Sequence, residues 1–243
     1  ICSLLMVALT LAFTRFVQRR DLLTGAVFSM GTAMANSSFV GFPIALQLFG
    51  PQAGAALAAY AVVESVVMFP LLYVLGDAAA SGRQPLPVLL RSIVERLVKN
   101  PFLLSLAAGA AWAASGVAMP APIGRAVGML ASTSAPVALF CIGGTLAGLS
   151  LRGMGSDLGL LVAGKLLLHP LAVFVVMLAF PVADPQMRTA TLLNAAMPMM
   201  SMYPILGLRY GREEICAAAV FATTLCTFFT ISAALWLIGV GAG

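Results

Sequence analysis

Apolar runs long enough to cross a bilayer recur along this whole chain, and no other feature narrows its fold as far. A spanning helix needs roughly 20 apolar residues. Runs between breakers stand at about 1–17, 22–49, 53–75, 101–118, 122–149, 156–180, 186–208 and 213–239. Only 9% of residues are charged and 61% are hydrophobic, whereas a soluble domain carries roughly a quarter charged residues. Too few charges remain to build a water-facing surface, so the runs predict an all-α polytopic membrane protein. Their recurrence excludes a single signal peptide as the explanation.

The basic residues then report topology. Arg15, Arg19, Arg20, Arg83, Arg91, Arg96, Lys99, Arg152, Arg209 and Arg212 fall on alternate connections of one face. The opposite face has Arg125 and Arg188, and Lys165 lies within a span. Cytoplasmic loops are the Lys/Arg-rich ones. This predicts a cytoplasmic loop 76–100, with an amphipathic stretch near 89–98, and both chain ends outside. A net charge of +5 is read as topology, and no nucleic-acid partner is expected.

One span has an odd centre. "MANSSFVGFPIALQLFG", residues 34–50, places Asn36, Ser37 and Ser38 and then Gly41 and Pro43 inside an apolar run. Proline lacks an N–H and disfavours helix at the residue before it. In lipid an irregular backbone survives only where protein or a water-filled cavity satisfies it. Span 22–49 is therefore expected as two half-helices joined near 36–42, with Pro43 at the first turn of the outer half. Span 186–208 repeats the pattern in "NAAMPMMSMYP": Pro198 and Pro204 bracket a break that holds Asn194, Ser201 and Tyr203.

The two spans match at a constant offset of 161 residues. Pro43-Ile44 falls on Pro204-Ile205, Phe49-Gly50 on Tyr210-Gly211, and Ala56, Ala58 and Ala61 on Ala217, Ala219 and Ala222. The copies are an odd number of spans apart, so they cross the membrane in opposite senses, as inverted repeats of secondary transporters do. The second copy has five spans and the first shows three. The expectation is a ten-span parent of which eight spans are present, N-terminally truncated.

Half-helix N-termini meeting at the midplane offer unpaired N–H groups and partial positive charge, which suits a small anion. Asn36, Ser37, Ser38, Pro43, Asn194, Pro198, Ser201, Tyr203 and Pro204 are the candidate substrate-site residues. Three ionisable groups lie at membrane depth: Glu64, Lys165 and His169. Such residues are costly in lipid and point to function. Lys165 either contacts the substrate anion, fixes the unwound segment in place of a coupling cation, or snorkels to the interface. Glu64 either carries a coupling proton or is a hydrogen-bonded structural acid. His169, before Pro170, reads more readily as packing than as a proton relay. Cys2, Cys141, Cys216 and Cys226 stand in apolar stretches without a CxxC pair, so no metal or cofactor is expected. No catalytic motif is present, and the chain does not read as an enzyme.

Asn36…Gly41-Phe-Pro43 with Phe49-Gly50, the segment Lys165-Leu-Leu-Leu-His-Pro170, and Pro198…Pro204 with Tyr210-Gly211 together resemble the auxin efflux carrier family, which includes bacterial malonate-type permeases. The resemblance covers essentially the whole chain. It implies two inverted five-helix repeats with broken helices crossing at Pro43 and Pro204. Residues 1–75 and 150–243 would supply the transport domain, 76–100 the cytoplasmic loop, and 101–149 the scaffold helices, with a homodimer through the scaffold as a further expectation. It also implies a bacterial inner-membrane carrier moving a small organic anion, malonate-like or auxin-like. The competing reading is a non-transporting membrane sensor or an inactive truncated homologue.

Overall fold

The structure is a computed structural model and describes residues 1–50, 57, 59–81, 85–99, 101–146 and 155–238. Its elements among these residues are helical. In chain order they are α1 (Cys2–Ala12), α2 (Leu22–Ala33), α3 (Phe42–Phe49), α4 (Phe69–Ser81), α5 (Leu86–Val98), α6 (Pro101–Ala114), α7 (Ala121–Leu146), α8 (Gly155–Ala163), α9 (His169–Ala179), α10 (Pro185–Ala196), α11 (Tyr203–Arg209) and α12 (Glu213–Ile238). Among the described residues three stretches are long and apolar enough to cross a membrane: Ala59–Ala80, Gly155–Ala179 and Glu213–Ala233.

Large apolar side chains cover the outside. Phe140, Phe228 and Trp236 are more than two-thirds exposed. A soluble protein rarely leaves so much apolar surface contiguous, and lipid is the solvent that suits it. The interior is built around α2, where every residue from Thr24 to Ala33 is buried. Small residues make that possible. Gly31 lies under Tyr203, and a Cβ there would stand 2.8 Å from the phenol ring. α2 packs on α1 and α4, while α12 packs on α8, α10 and α11. Asp21 starts α2 by accepting the Thr24 N–H at 2.6 Å, an N-cap that also holds its carboxyl below the ordinary range.

Four wide π-turns interrupt the described helices: Phe13–Val17, Ser37–Gly41, Glu64–Met68 and Gly164–Leu168. The last three each end two residues before a proline: Pro43, Pro70 and Pro170. The cause is steric. A proline inside a helix clashes with the carbonyl four residues back and removes one hydrogen bond. Widening the preceding turn moves that carbonyl aside. The bonds become Phe42 N–H to Ser37 O, Phe69 N–H to Glu64 O and His169 N–H to Gly164 O, each spanning five residues. A π-turn also re-aims the residues it contains. Ser37, Glu64 and Lys165 all stand within the first two residues of such turns.

Some boundaries differ from those expected. The helix expected to end at 75 runs through Ser81, and the amphipathic stretch is a helix from Leu86 rather than from 89. Both extensions keep backbone groups paired where side chains are polar on one face only. Polar residues gather at the end where these helices stop. Arg20 pairs with Asp157 at 3.1 Å, Arg209 with Asp77 at 3.0 Å and Arg212 with Asp21 at 3.9 Å. Arg83, Arg152, Ala56 and Ala58, used above for topology or for the repeat, lie outside the described residues, as does the C-terminal end of the chain.

Candidate functional site

The first break is short and extended. α2 stops at Ala33, and Met34 adopts φ −113°, ψ 142°. Helical backbone resumes at Ser37 as a π-turn that leads into α3. The irregular part is therefore 34–36, earlier than the expected 36–42, because the π-turn keeps 37–41 helical ahead of Pro43. Asn36 caps the new start: its Oδ1 accepts the Phe39 N–H at 3.3 Å, and its backbone carbonyl accepts Gly41 N–H at 2.9 Å. Pro43 then occupies the first turn of α3.

The second break separates α10, ending at Ala196, from α11, starting at Tyr203. The two breaks cross. Ala35 and Met199 form an antiparallel bridge, and Asn36 N–H donates to Pro198 O at 2.9 Å. Side chains repeat the link, with Asn36 Nδ2 donating to Ser201 Oγ at 2.7 Å. Thr223 from α12 supports the second break by accepting the Met199 N–H at 3.3 Å. The Asn36 and Met199 N–H groups are thus satisfied by the other break and by a neighbouring helix, as burial requires.

A carboxylate sits against the first break. Glu64 accepts the Ala35 N–H through Oε1 at 3.0 Å and the Ser37 hydroxyl through Oε2 at 3.1 Å. The π-turn before Pro70 turns Glu64 toward the crossing. Behind it, Lys165 is fully buried, and its Nζ lies 2.6 Å from His169 Nδ1. When Lys165 is an ammonium it can only donate, and Nδ1 then accepts while the neutral imidazole carries its proton on Nε2.

A cavity of about 930 Å³ opens onto this crossing. Asn36, Ser37, Ser38 and Glu64 line its floor, with Met200 and Met202 from the second break. Asp77 and Arg209 stand in its wall, and Ser92, Glu95 and Lys99 of the α5 region stand further out. Arg209 grips Asp77 with Nε and Nη2, both at 3.0 Å, and Tyr210 OH donates to the same carboxylate at 3.0 Å. Its own bonds to Asp77 hold the Arg209 guanidinium above its usual value. Burial, followed by Asp77, pushes the Tyr210 phenol up to about 12.

The remaining candidates lie around the cavity rather than in its lining. Ser201 is reached through Asn36. Pro198 contributes its carbonyl to the crossing, and Pro204 occupies the first turn of α11. Tyr203 is fully buried and donates its hydroxyl to Val27 O at 3.0 Å, locking α11 to α2. Asn194 is buried with Oδ1 lacking a protein partner. Lys165 and His169 form the layer beneath. The Asp77–Arg209–Tyr210 cluster was not anticipated as part of the site. A signal for it existed: an acid near the end of an apolar helix, and an Arg-Tyr pair at the end of a half-helix. Among the described residues no group of three His, Cys, Asp or Glu side chains could hold a metal ion.

The Asn36–Ser201 bond gives a direct test of the crossing. A neutral hydrogen bond contributes about 0.5–1.5 kcal/mol. Asn36→Ala and Ser201→Ala are expected to be non-additive by about that amount in a thermal-unfolding double-mutant cycle. Additive effects would mean that the side chains do not join the breaks.

Comparison with known proteins adds two findings. A family model described as "Membrane transport protein" matches residues 1–237. A protein of Rhizobium meliloti (strain 1021) named "Putative malonate transporter" is 30% identical over 236 residues, covering 97% of this chain and 74% of its own length.

Proposed function

This chain belongs to the membrane transport protein family, that of the auxin efflux carriers, and on that premise we propose that it is a secondary carrier. Its substrate is a small organic anion, a malonate-like carboxylate or an auxin-like weak acid, moved by alternating access. The observation that carries this reading is the crossing of two helix breaks at the floor of a 930 Å³ cavity lined by Asn36, Ser37 and Ser38. Polar groups are concentrated where the backbone leaves its helix, and the surroundings are apolar. That is the arrangement in which a buried polar ligand finds hydrogen bonds that lipid cannot supply.

In this reading the matched motifs at offset 161 are inverted repeats. Residues 1–75 and 150–243 form the transport domain around the crossing, and 101–149 the scaffold. The basic connections, including 76–100, face the cytoplasm of a bacterial cell, the chain ends face outward, and the cavity opens toward the cytoplasm. The scaffold pairs with a second copy. Asn194, Ser201, Tyr203 and the prolines hold the breaks in shape. Glu64 carries the coupling proton, and Lys165, seated against the His169 ring, supplies positive charge beneath it.

Reconstitution into proteoliposomes tests the proposal. Uptake of labelled malonate, other dicarboxylates and indole acids would be followed with and without imposed proton or sodium gradients. Saturable, gradient-dependent uptake of one of these anions is the expected result. Folded, reconstituted protein that moves none of them would sink the carrier reading and favour a sensor.

A further inference from the structure

The place prepared for a substrate carboxylate is already filled by a carboxylate of the protein itself. Glu64 takes the Ala35 N–H at 3.0 Å and the Ser37 hydroxyl at 3.1 Å, the donors that an anion entering the cavity would reach first at the first break. We propose that Glu64 is a built-in surrogate for the substrate. In the empty protein it occupies the break. An incoming carboxylate displaces it, and Glu64 then binds one proton from water in the cavity. The inference rests on the carrier reading and deepens it, because it names how substrate and proton are linked.

The charges around the cavity support this choice of group. Asp77 is held by Arg209 and Tyr210, and Glu95 by Lys99. Glu64 differs in that the hydrogen bonds holding it come from neutral donors, a backbone N–H and a hydroxyl. Losing them to another carboxylate leaves no cation stranded. From the layer beneath, the Lys165 ammonium acts on Glu64 and His169 faces Lys165 rather than the cavity. One turn before Glu64 on the same helix, Tyr60 is occupied with the Thr191 hydroxyl. Two carboxylates competing for the same two donors cannot both stay ionised at close range without large repulsion. A proton on Glu64 removes that repulsion, and Glu64 lines the cavity, so water can deliver it.

The sign follows directly. A site that gains a proton when it gains a ligand binds that ligand more tightly as pH falls. The full chain, purified, would be titrated with malonate as the probe between about pH 6.5 and 8.5, and the slope is read on the alkaline side, where Glu64 of the empty protein is ionised. Wild-type affinity is expected to fall about tenfold per pH unit, the slope for one linked proton. In weak buffer, about one proton should be taken up per malonate bound. Glu64→Gln keeps the shape without the charge. It should flatten the slope, abolish proton uptake, and bind malonate about tenfold or more tighter than wild type at the upper pH. The proton-uptake arm needs wild type alone, so it decides the matter even if Glu64→Gln fails to fold. Malonate binding with a flat pH profile and no proton uptake would overturn this inference and leave the carrier reading standing. A folded wild type that binds no malonate at any pH would overturn both.

Discussion

Replacing Lys165 with methionine is expected to weaken malonate binding about tenfold or more, the equivalent of losing one charge-assisted interaction. Lys165 has no solvent exposure and contributes nothing to the cavity lining. It stands in the π-turn before Pro170, bonded to His169, with Glu64 in its field. Its contribution to binding is therefore electrostatic. The empty crossing holds one negative charge, that of Glu64. With malonate bound and Glu64 protonated it holds two, so an ammonium beneath favours the loaded state. Methionine keeps the length of the stem and removes the charge; it escapes the desolvation of an ammonium but leaves the buried His169 Nδ1 without its donor, so a lowered unfolding midpoint is expected beside the weaker binding. Lys165→Arg should fare worse in folding than its charge suggests, because a planar fork does not fit a fully enclosed ammonium site. Malonate affinity by calorimetry and the unfolding midpoint in detergent separate these effects. An unchanged affinity for a normally folded Lys165→Met would make the lysine purely structural.

The second large effect is expected at the cavity wall. Arg209→Leu removes two hydrogen bonds from Asp77, whose side chain is 14% exposed, and leaves Tyr210 as its remaining partner in the cluster. Hydrogen bonds to charged groups contribute about 1.5–3 kcal/mol. The Arg209 side chain is itself 48% exposed, so water recovers part of that and the expected loss is about 1–2 kcal/mol. For a chain of this size that lowers the unfolding midpoint by about 2–8 °C. The bond ties the end of α11 to α4, so the loss should be partly restored by the exchange Asp77→Arg with Arg209→Asp. A midpoint equal to wild type in Arg209→Leu, measured in the same detergent, would show that the pair is not holding the wall together.

The breaks were legible because their causes are local. Pro43, Gly41 and Asn36 act on their own backbone, and so do Pro198 and Pro204. The position of the first break shifted, however, from 36–42 to 34–36. The reason is also local, but it is one that residue pattern does not display. A chain can meet a proline either by unwinding or by widening one turn, and here it widens at 37–41. The same choice recurs before Pro70 and Pro170. Glu64 and Lys165 stood out from sequence as charges at membrane depth. Which groups they would meet did not, because the alternatives for Lys165 send the same ammonium to different surroundings: a substrate anion, the unwound segment or the interface. Asp77 is separated from the adjacent Arg209 and Tyr210 by more than a hundred positions, and nothing in either segment names the other.

Taken alone, the sequence determined that this chain is a bundle of apolar helices in a membrane, that two of them are interrupted, and which polar side chains stand at the interruptions. These follow from solvent and from single-residue backbone preferences: lipid demands paired backbone, and proline and glycine decide where pairing fails. Only the tertiary structure decided that the interruptions cross at Ala35 and Met199, that Glu64 occupies the first of them, and that Lys165 lies sealed beneath. Those outcomes depend on the rotation of each helix about its own axis. That rotation is set by the small-residue contacts of α2 and by π-turns that re-aim the residues within them, and a linear pattern of apolar residues leaves it undetermined in a protein whose helices are apolar on nearly every side.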